Sequence, residues 1–124
     1  MSKSRNVFGL VAAVILVLSS AAHSILGWKG LREQLAAAHV PPDLERGVQI
    51  GWQFGGVAML AFGLITFAIF LGRLRGELVP AFPALVIGIT YLAFGAWALA
   101  ATKEPFFTIF LVPGALLVLA ASRR

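Results

Sequence analysis

Apolar residues run along this chain in four long stretches, Val7–Trp28, Gly47–Leu71, Val79–Ala101 and Pro105–Ala121, and none of them contains Asp, Glu, Lys or Arg. Crossing about 30 Å of hydrocarbon takes roughly 20 apolar residues in a helix. The first three stretches meet that length. The fourth is short and carries Pro113-Gly114 near its middle, where a proline has no N–H for the carbonyl of Ile109 and a kink is expected. The pattern predicts an all-α integral membrane protein: a single domain, residues 1–124, built as a four-transmembrane-helix antiparallel bundle.

The breaks between the stretches differ in kind. Residues 29–46 form the long connection, in which Leu31, Leu35, Ala36 and Ala38 recur at helical spacing before Pro41-Pro42. A short interfacial helix is predicted in this first outer loop, with Asp43 as the cap of the second span. Gly72–Leu78 and Thr102–Glu104 are tight, so neighbouring helices are expected to pack as antiparallel hairpins.

Composition agrees with lipid as the solvent: 60% of the 124 residues are apolar and 12% charged. The net charge of +5 does not point to nucleic acid, because the ten Lys and Arg residues are scattered over termini and loops. They report orientation instead. Lys3, Arg5, Arg73, Arg75, Arg123 and Arg124 fall on one side, and Lys29, Arg32, Arg46 and Lys103 on the other. The richer side is read as cytoplasmic, which places both termini inside a multi-pass cytoplasmic (inner) membrane protein. Lys3 and Arg5 ahead of an apolar run ending in Ser20-Ala21-Ala22 also resemble a secretory signal. The run continues through Ile25, Leu26 and Trp28 to spanning length, and is therefore read as a helix. The absence of cysteine excludes thiol and disulfide chemistry, cysteine-ligated clusters and covalently attached haem.

Small residues mark where helices meet, since lipid gives apolar side chains little reason to cluster and close approach needs short ones. In the first span Gly9, Ala13, Leu16, Ser20, His23 and Gly27 form one stripe at alternating steps of four and three. Gly47, Gly51 and Gly55 in the second form a glycine repeat, with Gln49, Gln53, Gly56 and Gly63 on the opposite side. Gly88 and Gly95 continue the theme in the third. A second packing face on the second helix allows a homodimer or a place in a larger membrane complex as well as internal packing.

Polar side chains inside the spans are few, and all are uncharged. That excludes proton exchange through a membrane carboxylate. It also separates this chain from the small multidrug exporters, which have four helices of similar length but an essential glutamate in the first, where Val11–Ser20 has no acid. The remaining candidate is a cluster at one depth near the outer surface: His23 and Ser20 on the first span, Gln49, Gln53 and Trp52 on the second, and Trp97 on the third. Such a cluster would hold a small, largely apolar ligand, with His and Gln orienting it and aromatics supplying contact. The competing reading is structural, with the histidine bonding across to the next helix and the tryptophans anchoring the interface. No metal site or cofactor is indicated, because His23 and His39 are the only histidines and His39 lies in the outer loop. Asp43, Glu45 and Glu104 at the outer boundary make no triad with His23, so no catalytic residues are assigned. Three functions follow in order: binding or passage of a small apolar molecule, an accessory or structural subunit, and an enzyme acting on a lipophilic substrate.

Overall fold

The computed structural model describes residues 2–122, and among them there is no strand. Helix α1 runs from Lys3 to Ala21 and passes through a six-residue π-turn, Ala22–Gly27, into α2, Trp28–Ala37. Helix α3 spans Pro42–Leu74 and α4 spans Phe82–Thr102; a 3-10 segment, Pro105–Phe110, leads into α5, Leu111–Ala121. Three continuous helices, Lys3–Ala37, Pro42–Leu74 and Phe82–Thr102, are long and apolar enough to cross a membrane, and Pro105–Ala121 is a shorter apolar helix.

The helix expected in the outer loop is present, but it is not a separate element. Gly27 keeps helical angles (φ −63°, ψ −43°), so nothing between the first span and α2 breaks the rod. The turn comes only at Ala38–Pro41, where His39 adopts φ 55°. Asp43 does not cap α3, since Pro42 occupies the first helical position behind Pro41. A proline there loses no hydrogen bond, because the first N–H groups of a helix have no internal acceptor. Asp43 and Glu45 instead sit in the first turn, where the helix dipole favours negative charge. At the other end of α3 the chain turns at Gly76 with φ 86°, an angle that glycine tolerates without strain.

Helix α1 is central, packed between α3 and α5, while α5 leans on α4. The tight hairpin expected of α3 and α4 is not formed: the two touch only sparsely. Small residues decide these pairings. The Phe70 ring of α3 sits directly on Gly9, and a Cβ on Gly63 would lie 2.7 Å from Val17 Cγ2 and 3.3 Å from the Ala13 carbonyl. On the other side, a Cβ on Gly88 would lie 2.8 Å from Leu117 Cβ and 3.1 Å from the Gly114 carbonyl. Around these seats Ala12, Leu16, Phe70, Ala84, Leu117 and Ala120 are completely buried. Arg5 ties the central helix to the end of α5, donating from Nε to the Leu119 carbonyl at 3.1 Å and from a terminal nitrogen to the carbonyl of Ser122. It thereby satisfies carbonyls that the last turn of α5 leaves open.

The elements are unequal in length. At 1.5 Å per residue, the 35-residue α1–α2 rod is about 52 Å long, the 33-residue α3 about 50 Å and the 21-residue α4 about 32 Å. The surplus lies at one end. Among the described residues, α2 touches only α3 and the π-turn, and the π-turn touches only α1, α2 and α3. Four helical arms thus lie together at the end that holds residues 2 and 122, and a two-helix hairpin continues at the other.

Gly88→Val should drive a methyl group into backbone that cannot yield, costing about 1–3 kcal/mol. Gly51→Ala, with nothing within 4 Å of its Cβ, should leave stability equal or slightly raised. Thermal unfolding of the detergent-solubilised variants checks the contrast.

Candidate functional site

The polar cluster falls where the hairpin leaves the bundle. A π-turn is wider than an α-turn and disturbs the usual pairing of backbone carbonyls. Here the carbonyls of His23 and Ser24 each accept a donor from α3: Trp52 Nε1 at 2.8 Å on His23 and Gln53 Nε2 at 3.0 Å on Ser24. The His23 ring answers in the opposite sense, with Nε2 2.9 Å from the Trp52 carbonyl, to which it donates as the Nε2–H tautomer. The imidazole and indole also stack nearly flat, centroids 4.2 Å apart and planes 7° from parallel. Residues 23 and 52 therefore form a reciprocal clamp: each ring bonds the other's backbone while the two faces cover one another. Gln53 extends it by one residue.

The clamp requires close helices, and glycine makes the room. A Cβ on Gly56 would collide with Ser24 Oγ, one on Gly55 would lie 3.3 Å from His23 Nε2, and one on Gly27 would lie 3.0 Å from Trp52 Cζ2. This divides the expected row of Gly47, Gly51 and Gly55. Steps of four advance 400° on a helix with 100° per residue, so the row drifts around α3 by 40° each time. Gly55 ends against the π-turn, whereas Gly47 and Gly51 have nothing within 4 Å. Gly88 and Gly95 both face the α5 arm, Gly95 against Phe110 and Leu111.

Not all the expected cluster converges. His23, Trp52 and Gln53 meet, together with Ser24. Ser20 is buried one turn away and bonds within its own helix, Oγ to the Val17 carbonyl at 2.6 Å. Gln49 is half-buried one turn beyond Gln53, and its amide has no hydrogen-bond partner among the described residues. Trp97 stands apart, 65% exposed and tilted against Phe94 of its own helix with centroids 5.5 Å apart. Phe94 in turn meets Phe110, and Phe106, Phe107 and Phe110 continue a separate aromatic group on the 3-10 segment. Two features escaped sequence reasoning. The π-turn has no residue signature beyond small and polar side chains around it, and the buried hydroxyls of Thr66 and Tyr91 and the Asn6 carbonyl oxygen lack partners among the described residues.

A second feature lies at the end that carries the termini. A cleft of about 700 Å³ lies there between the end of α3, the loop at residues 77–81, the start of α4 and the end of α5. Arg73 and Glu77 stand at this cleft, and Val79, Phe82, Leu85 and Ala121 are among its apolar lining.

Compared with protein families, curated proteins and solved structures, the chain has no match. What it does must be argued from its own geometry.

Trp52→Phe keeps an aromatic face for His23 and removes only the donor to the π-turn. It should cost about 1 kcal/mol and speed amide exchange in Trp28–Ala37, which no other element supports. Hydrogen–deuterium exchange checks the second effect. A double-mutant cycle of His23→Ala with Trp52→Ala, which removes the stack, should show coupling of about 0.5–1.5 kcal/mol, and additive losses would mean the two rings do not act as one unit.

Proposed function

We propose that this chain is a four-span inner-membrane protein with both termini in the cytoplasm, acting as an accessory or structural subunit that associates laterally through its projecting hairpin. The fourth span is supported by arithmetic. Six residues of 3-10 helix at about 2.0 Å and eleven of α-helix at about 1.5 Å give roughly 28 Å, close to the hydrocarbon thickness. The tighter winding lengthens a segment that would fall short as pure α-helix.

The observation that carries the subunit reading is a stripe on α3. Leu44, Gly47, Gly51 and Phe54 follow steps of three, four and three, and so share one face. Leu44 and Phe54 are exposed, and the glycines between them have open space beside them. Glycines flanked by large apolar residues make the shallow groove into which another helix packs. Gly55 and Gly56 already serve the internal partner, so the outward pair has no intramolecular use. A small apolar ligand held by the same cluster is the weaker reading, because His23 Nε2, Trp52 Nε1 and Gln53 Nε2 are occupied by backbone.

The absence of native cysteine makes both parts testable by single cysteines. Gly47→Cys or Gly51→Cys should crosslink in native membranes to a second copy or to one defined partner, while Val86→Cys on the outer face of α4 should not. No product from either glycine position, or equal product from Val86→Cys, would end the proposal.

For topology, an impermeant maleimide should label Gln34→Cys in intact spheroplasts and Gly76→Cys only after lysis. The reverse pattern would invert the orientation, and recovery of the chain in the soluble fraction would refute membrane insertion.

A further inference from the structure

The cleft at the terminal end combines a cationic rim with an apolar wall. Arg73, in the last turn of α3, lines it and is half-buried. Arg5 stands near enough for the two guanidinium charges to repel. Arg5 is held on the backbone of α5, including Ser122, which also lines the cleft. Neither arginine has a carboxylate within ion-pair distance among the described residues, where the sole ion pair joins Arg32 and Glu45 at the opposite end. Glu77 borders the cleft, but its carboxylate lies back over Gly72 and its side chain is exposed.

The rest of the lining is mostly apolar: Val79, Pro80, Ala81, Phe82 and Leu85 form the wall, with Leu78 and Phe82 projecting outward. A cation beside an apolar groove matches a lipid phosphate joined to its acyl chain. Basic pockets between spans on the cytoplasmic side recruit anionic headgroups by the same physics. We propose that this cleft binds one anionic glycerophospholipid, its phosphate on Arg73 and an acyl chain along Val79, Phe82 and Leu85. This rests on the chain spanning a membrane with these residues at the cytoplasmic leaflet.

The proposal has a matched control, because Arg75 is exposed and does not line the cleft. Arg73→Gln and Arg75→Gln change net charge equally. In native mass spectrometry of detergent-solubilised protein titrated with phosphatidylglycerol or phosphatidylcholine, the wild type should retain one phosphatidylglycerol preferentially. Arg73→Gln should weaken that retention about tenfold, as loss of a charge-assisted contact does, and Arg75→Gln less than about twofold. Equal effects of the two variants, or phosphatidylcholine held as well as phosphatidylglycerol, would overturn the site.

If Arg73→Gln does not fold, a photoactivatable acyl chain on phosphatidylglycerol decides the matter in the wild type. Label on Leu85 supports the cleft, and label confined to outward residues such as Leu64 and Ile89 refutes it. A chain that stays monodisperse without detergent would instead strike at the membrane reading on which the site depends.

Discussion

A backbone carbonyl placed where water is scarce must find a donor within the protein, and an unpaired one costs several kcal/mol in hydrocarbon. An α-helix meets this requirement by itself, but a π-turn meets it less well, and this chain places one at Ala22–Gly27. Trp52 and Gln53 supply donors to two carbonyls of that turn, and His23 donates back to α3. The consequence extends beyond the site. Within the turn the Trp28 N–H also reaches the His23 carbonyl, so the helix keeps its own pairing across the widened turn and continues for ten more residues past Gly27. The length of the projecting hairpin follows from that continuity.

The same economy of contacts explains which helices touch. Short loops allow neighbours in sequence to pair, but they do not supply the attraction. Where Gly9 admits the Phe70 ring and Gly88 meets Gly114, backbones approach and dispersion acts over many atoms. The α3–α4 loop is also short, yet the small residues on those helices face α1 and α5. Arg5 adds a polar tie at the terminal end, and it too joins α1 to the end of α5. The bundle therefore closes through its first helix, leaving the seam between α3 and α4 open at the terminal end.

Much of this was legible from residue order. Charge-free runs located the long helices, and the stripe from Gly9 through Leu16 to Gly27 identified the buried face of the first, since those positions are buried or half-buried against neighbours. The meeting of His23 with Gln53's helix followed from antiparallel register. The parts that were not legible share a physical reason. The π-turn is a choice of hydrogen-bond register, which neither periodicity nor propensity encodes. The failure of α3 to pair with α4 is a competition between seats, decided only when all faces are known. Trp97 was grouped with the cluster by position along the chain, but it stands exposed on α4, because rotation about the bundle cannot be counted along a chain.

Length sets the remaining division of labour. If α4, at about 32 Å, defines the hydrocarbon, the clamp lies near its outer boundary, roughly 30 Å along α1. There the rings of His23 and Trp52 would meet both lipid and headgroup, a setting that suits amphipathic aromatics. Beyond it α2 and the start of α3 carry Lys29, Arg32, Glu33, Asp43, Glu45 and Arg46, and an exposed ion pair between Arg32 and Glu45 adds little stability by itself. A polar hairpin with so little support of its own keeps its direction chiefly through the clamp at its base. Association along Leu44, Gly47 and Gly51 would require that direction to be set beforehand, since ordering a loose hairpin on contact would consume part of the binding energy. On the proposed subunit reading, the reciprocal bonds of His23 and Trp52 would serve recognition without touching the partner.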